Sequence, residues 1–120
     1  ALDIAVGRIP ARNLNEANAM VDKIIRYHHP SRFGEWRNRL LFIADDRDQN
    51  LHLNDAEGVA AVTLNSIFQT DKIYLDAFPL VSGSAGARYP AVNEAIVNRM
   101  NQGALIVNYS GHSNHIRLAD

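Results

Sequence analysis

Residues 104–113 read Ala-Leu-Ile-Val-Asn-Tyr-Ser-Gly-His-Ser. Leu105, Ile106 and Val107 form an unbroken, β-branched-rich apolar run, the pattern of a strand buried on both faces. Polarity changes at Asn108, Gly111 permits a tight turn, and His112 follows it. A strand ending in Gly-His delivers an imidazole to the carboxyl edge of a sheet, and in open α/β folds that edge is where ligands and chemistry gather. Histidine is the side chain best suited to exchanging protons near neutral pH, so His112 is a candidate general base. The plainer alternative is a surface histidine just past a strand.

Outward from this stretch, apolar runs alternate with helical spacings. Leu2 to Val6 reads as a first strand closed by Gly7, and Leu40 to Ala44 as a second. Ile73 to Leu75 reads as a third, ending at Asp76. Between the first two, Asn13 and Glu16 form a capping-box pattern, and Ala17, Met20, Val21, Ile24 and Tyr27 recur at helical spacing. A helix is therefore expected from about Leu14 to His29, ended by Pro30. Asn54 and Glu57 repeat the box ahead of a second helix whose inner face should carry Val59, Val62 and Ile67. The segment from Phe78 to Tyr89 reads as a long surface loop. Pro90 suits the first turn of a third helix with Val92, Ala95, Ile96 and Met100 inward, and Gly103 suits its C-terminal end. The order β-α-β-α-β-α-β implies an α/β fold, a mainly parallel sheet with helices on both faces, in a single domain over 1–120.

Composition excludes several classes. The chain has 120 residues, 47% of them apolar and 21% charged, with a net charge of -1. That is an ordinary globular balance and gives no case for a nucleic-acid partner or a membrane surface. No apolar run is long enough for a transmembrane segment. There is no cysteine, which removes disulfides, zinc–thiolate sites and the obvious soft nucleophile. A strand at the very start and a stop eight residues after His112 suggest a fragment of a larger domain.

In a parallel sheet the strand ends at Gly7-Arg8, Asp45-Asp46, Asp76 and Gly111-His112 share one edge. His112 there could act as a base toward a nucleophile. Backbone N–H groups around Gly111 and Ser113 could stabilise an oxyanion. Ser110 and Ser113 are too close to His112 in sequence to be its nucleophile, and neither sits in a nucleophile elbow. Asp45 and Asp76 could form a substrate-binding pocket for a Lys or Arg side chain. Asp46, Asp48, Asn50 and Glu57 stand at positions one, three, five and twelve of a calcium-loop spacing, with Leu51 where that loop has Gly. Two readings stand for them: a structural calcium site, or a solvated loop whose Glu57 caps the next helix. Acidic strand ends also fit a phosphoacceptor receiver, which would want a lysine at the end of a late strand, and none is there.

Three blocks carry a family resemblance. Residues 103–113, GALIVNYSGHS, resemble the strand-turn of the gingipain family of cysteine peptidases, in which Asn-Tyr-x-Gly-His ends the strand and carries the catalytic histidine. Residues 3–10, DIAVGRIP, and 42–46, FIADD, are similar to that family's first and second strands. The continuation over 48–57, DQNLHLNDAE, looks most like the branch that serves as sortase and C-terminal signal peptidase of the type IX secretion system. The resemblance implies a caspase-like sheet of which this chain is the histidine-bearing part, with His112 catalytic and a cysteine at the end of a further strand. It implies that catalysis requires no cofactor. It implies exported cargo proteins as polypeptide substrate, other secretion-system components as partners, and a location at the outer-membrane surface or outside the cell. Ser113 and Asn114-His115-Ile116 depart from the family pattern, which keeps a non-catalytic caspase-like binding domain as the alternative.

Overall fold

The structure, a computed structural model, describes residues 4, 6–63, 67–84, 86–115 and 118. The chain divides into two compact units, Ala1–Gly34 and Glu35–Asp120. In the first unit, the strand read over 2–6 lies mostly outside the described residues; Ile4 and Val6 are described, and neither is in a strand. Helix α1 spans Leu14–His28, as the spacing predicts. Asn13 caps it by accepting from the Glu16 N–H at 2.9 Å. The Glu16 carboxylate reaches back one residue further than in a standard capping box, to the Arg12 N–H at 2.8 Å. Pro30 opens a short 3₁₀ turn rather than continuing the helix.

The second unit holds the sheet. Strands β1 (Arg39–Ala44), β2 (Gln69–Tyr74) and β5 (Ile106–Ser110) are all parallel, in the order β2-β1-β5. Ala44 lies opposite both Tyr74 and Ser110, so the three carboxyl ends are flush. β1 is central, and Leu40 through Ala44 are all buried. Alternation sends Leu41 and Ile43 to one face, where they join Ile73, Leu75 and Val92 of helix α3 (Pro90–Gln102). Leu40 and Phe42 face the other way, against Ala60 of helix α2 (Leu51–Ala61). The architecture is thus α/β, a parallel sheet with helices on both faces, consistent with a caspase-like fold.

Four expectations are corrected. β5 is not buried on both faces: it is an edge strand among the described residues, and Ile106 and Val107 are exposed. Helix α2 starts at Leu51, three residues before Asn54, and Asn50 in the N-cap position makes no side-chain capping bond. Its buried face is Ala56 and Ala60, not Val59, Val62 and Ile67, all of which are exposed. Small residues at i and i+4 let a helix lie close on the sheet, an advantage that hydrophobicity alone does not register. Finally, the loop before α3 contains an antiparallel hairpin, β3 (Val81–Gly83) with β4 (Gly86–Arg88). At the far end of α3, Gly103 takes φ +83, and a Cβ there would meet the Trp36 Cβ at 2.9 Å. The glycine ends the helix and admits Trp36 as a local anchor.

Candidate functional site

Asp45 is the first residue past β1 and is 6% exposed. Its N–H donates to the Ser110 carbonyl at 3.0 Å, extending the β1–β5 pairing by one rung. This bond fixes where the carboxylate can point. Oδ1 accepts from the Asp46 N–H at 3.0 Å. Oδ2 accepts twice from His112, from the backbone N–H at 3.1 Å and from ring Nδ1 at 2.9 Å. A buried carboxylate is costly unless its lone pairs are filled, and here three N–H groups fill them.

The turn that presents His112 is built for close approach. A Cβ on Gly111 would lie 2.4 Å from the Asp45 Cβ and 2.6 Å from the Tyr109 hydroxyl. Glycine is required there by space, not by a left-handed backbone, which refines the sequence argument. The Tyr109 hydroxyl donates to the His112 carbonyl and closes the turn. Ser113 then pairs with Leu118 in an isolated antiparallel bridge.

The other ring nitrogen of His112 faces a different carboxylate. Nε2 lies 3.0 Å from Asp48 Oδ2, and His52 Nε2 lies 3.4 Å from the same oxygen. The two imidazoles meet edge to face with centroids 4.8 Å apart. Asp48 is carried by residues 47–50, every one at positive φ, from 52 to 73°. The hydrogen bond to Asp45 raises the His112 pKa above 6.5; desolvation pulls the other way, and the charges of Asp48 and Asp45 add to the rise. Burial pushes the Asp45 carboxyl up, but its bonds to the His112 ring, the His112 N–H and Asp46 together bring it below 3.8. Each member of the pair favours the other's charged form.

The predicted residues separate into two sets. Asp45, Asp76 and His112 do share the carboxyl edge, since all follow flush strand ends. Gly7 and Arg8 belong to the other compact unit. Asp45 is not an open substrate carboxylate, because it is buried and its oxygens are taken by two N–H groups of His112 and one of Asp46. Asp76 stays exposed in a 3₁₀ turn over Leu75–Ala77.

The four proposed calcium ligands are not brought together. Asp46 accepts from the Tyr89 hydroxyl at 2.7 Å. That bond, with burial and the charges of Asp46 and Asp76, pushes the phenol up to about 12, so it stays a donor. Glu57 accepts from Lys72 Nζ and the Tyr74 hydroxyl, each at 2.7 Å. The reason is the early start of α2, which puts Glu57 in the second turn of the helix facing β2 instead of closing the loop. With Leu51 in place of glycine, the sharp turn is made instead by positive-φ residues 47–50. Among the described residues, the three His, Asp or Glu side chains whose ligand atoms do converge, within 4.8 Å of one another, are Asp48, His52 and His112. His52 was given no role by sequence reasoning, although Asp48 and His52 stand at the i, i+4 spacing that puts two side chains on one face of a helix start.

A family model described as peptidase family C25 matches residues 1–120. No curated protein and no solved structure matches.

Proposed function

The chain belongs to peptidase family C25, and from that premise we propose that it is the histidine-bearing part of a cysteine peptidase whose thiol comes from sequence outside these 120 residues, which contain no cysteine. The observation that carries the reading is the bond from His112 Nδ1 to the buried Asp45 at the carboxyl edge of the sheet. With Nδ1–H donated to a carboxylate, the neutral ring keeps its lone pair on Nε2, the form a general base needs. His112 would take the thiol proton through Nε2 and return a proton to the leaving amine, while Asp45 holds the ring and stabilises the imidazolium. Backbone N–H groups at Gly111 and Ser113 are the candidates for holding the oxyanion, and exposed Asp76 the candidate for meeting a basic substrate side chain.

The substrate is a polypeptide. On the residues over 48–57, we assign it to exported cargo whose C-terminal signals are removed by a type IX secretion-system sortase at the outer-membrane surface, working with other components of that system. No described helix is long and apolar enough to cross a membrane. Calcium on Asp46, Asp48, Asn50 and Glu57 would require Asp46 to leave Tyr89 and Glu57 to leave Lys72 and Tyr74; calorimetry with calcium decides it, a flat titration removing the site.

The test uses a longer protein containing this sequence and the thiol. It should react with thiol-directed, peptide-based electrophiles. His112→Ala should slow peptide turnover by about 10²–10⁴-fold, the usual worth of a general base, with the fold retained and a fall in melting temperature from the Asp45 carboxylate that loses its ring partner. A longer protein with no cysteine beside His112 would instead leave the non-catalytic binding domain.

A further inference from the structure

Asp48, His52 and His112 come together in a way that base catalysis does not require. We propose that these three side chains form a site for a divalent transition-metal ion of the zinc class, and that the ion, when bound, occupies Nε2 of His112. The effect on peptidase activity rests on the proposed role of His112; the binding itself does not.

Three observations carry the site. First, the donors suit the ion. Two imidazole nitrogens and one carboxylate oxygen are a zinc-type set, whereas calcium and magnesium prefer oxygen alone. Second, the spacing is close to what such an ion needs. Ligand bonds of about 2.0–2.2 Å in a tetrahedron place donor atoms about 3.3 Å apart. Asp48 Oδ2 is 3.0 Å from His112 Nε2 and 3.4 Å from His52 Nε2. All three donor atoms lie within 4.8 Å of one another, so a small rotation of the half-exposed His112 or Asp48 side chain closes the set.

Third, the atoms around the donors are arranged as a metal site requires. His112 gives its Nδ1–H to the buried Asp45 carboxylate at 2.9 Å. That outer partner fixes the ring with its Nε2 lone pair toward the ligand position and makes it more basic, the arrangement that metal-bound histidines repeatedly use. His52 Nε2 is screened from solvent and has no hydrogen-bond partner among the described residues. Its nearest acceptor is Asp48 Oδ2 at 3.4 Å, an ion pair only if the ring is protonated; with the ring neutral at that nitrogen the lone pair has no donor, and coordination would satisfy it. Three protein ligands leave a fourth position open to water or to an incoming anionic donor such as a thiolate.

An ion on Nε2 takes the lone pair that proton transfer would use. Zinc would therefore act as a reversible brake on the peptidase, released by chelation.

The test titrates Zn²⁺, and Co²⁺ as its coloured substitute, into the protein and reads binding by calorimetry and by visible absorption. The expected result is one ion per chain, with the intense cobalt absorption of a four-coordinate site. His52→Ala and Asp48→Asn should each weaken binding by at least tenfold. Asp45→Asn, which keeps all three ligands, should still weaken it by about 10–100-fold through loss of the outer partner. His28→Ala and His29→Ala together should leave it unchanged. No binding, or binding indifferent to His52→Ala, overturns the site. Failure of the peptidase reading would look different: zinc bound as described while the thiol-bearing protein turns over peptide equally fast with and without His112.

Discussion

Asp45 and Asp48 both hold the imidazole of His112, one at each ring nitrogen, from opposite kinds of backbone. Asp45 continues the central strand: its N–H is in the ladder, its side chain is buried, and three N–H groups converge on it. Asp48 hangs from four consecutive positive-φ residues, with a side chain 49% exposed. An L-residue in the left-handed region costs about 1–2 kcal/mol, so residues 47–50 hold a conformation that their own backbone resists. The sheet thus supplies the permanent partner and the loop the exchangeable one. Nδ1 is fixed for as long as the fold persists, while Nε2, the atom that chemistry or a metal would use, is guarded by a group that can leave.

The largest break in this comparison should come from the rigid side. Asp45→Asn is nearly isosteric but removes the charge behind Nδ1. In the thiol-bearing protein, peptide turnover should fall by about 10–100-fold, the range that follows loss of a group orienting a functional histidine. The loss should fall on kcat more than on KM, because Asp45 is too buried to touch substrate. A steady-state comparison in which KM alone changes would mean that Asp45 binds substrate after all.

Next comes the fit between strand end and turn. Gly111→Ala would drive a Cβ into the Asp45 Cβ and the Tyr109 hydroxyl. Neither can retreat easily, since Asp45 is held in the ladder and Tyr109 by its bond to the His112 carbonyl. Overpacking of this kind costs about 1–3 kcal/mol. Chemical denaturation should show that loss; an unchanged midpoint would mean that the turn is looser than its contacts imply.

The two partners also differ in how strongly they should move the titration of His112. Its pKa is raised, chiefly by the bond to Asp45 and less by the charge of Asp48. A histidine with a raised folded pKa contributes stability that is fully present below the unfolded value near 6.5 and is lost as pH rises through the folded value. Asp45 has the opposite sign: its contribution is present above 3.8 and is lost as pH falls through its lowered folded value. The pair is therefore strongest between those two limits. Imidazole NMR in the presence of a chelator should place the His112 midpoint above 6.5. Asp45→Asn should lower it more than Asp48→Asn does. The reverse order would make the loop carboxylate the principal partner.

What could be read from the sequence divides along the same line. The carboxyl ends of β1, β2 and β5 were legible because apolar runs bounded by Gly or Asp announce parallel strands, while the same pattern over 2–6 gave no strand at Ile4 or Val6; the family likeness in residues 103–113 pointed to His112. The helix Leu14–His28 was legible because Asn13 caps it and Pro30 stops it. The pairing of Asp45 with His112 was hidden because it spans 67 positions and depends on sheet order, with β5 beside β1. The loop misled most. Its spacing of oxygen-bearing side chains resembled a calcium loop, but spacing does not report backbone handedness. Four positive-φ residues without a single glycine turn Asp48 toward the histidines and leave Asp46 and Glu57 to Tyr89 and Lys72.

The smallest effect should come from relaxing that loop. Arg47 has φ 73° and ψ -172°, a region that is essentially glycine's alone. Gly at this position removes the clash of a Cβ with the backbone, and part of the gain is lost to the greater freedom of glycine in the unfolded chain. Arg47→Gly should therefore be more stable than Arg47→Ala, which removes the same side-chain interactions but keeps the Cβ, by about 1 kcal/mol, seen as a modestly higher denaturation midpoint. The substitution also removes a positive charge that holds the His112 pKa down, so the NMR midpoint should rise slightly at the same time. The Asp45 bond to Nδ1 should be untouched, because Arg47 lies outside the ladder that positions it. A Gly variant no more stable than the Ala variant would show that residues 47–50 are not strained. Asp48 would then be as firmly placed as Asp45, and the division between a permanent and an exchangeable partner would disappear.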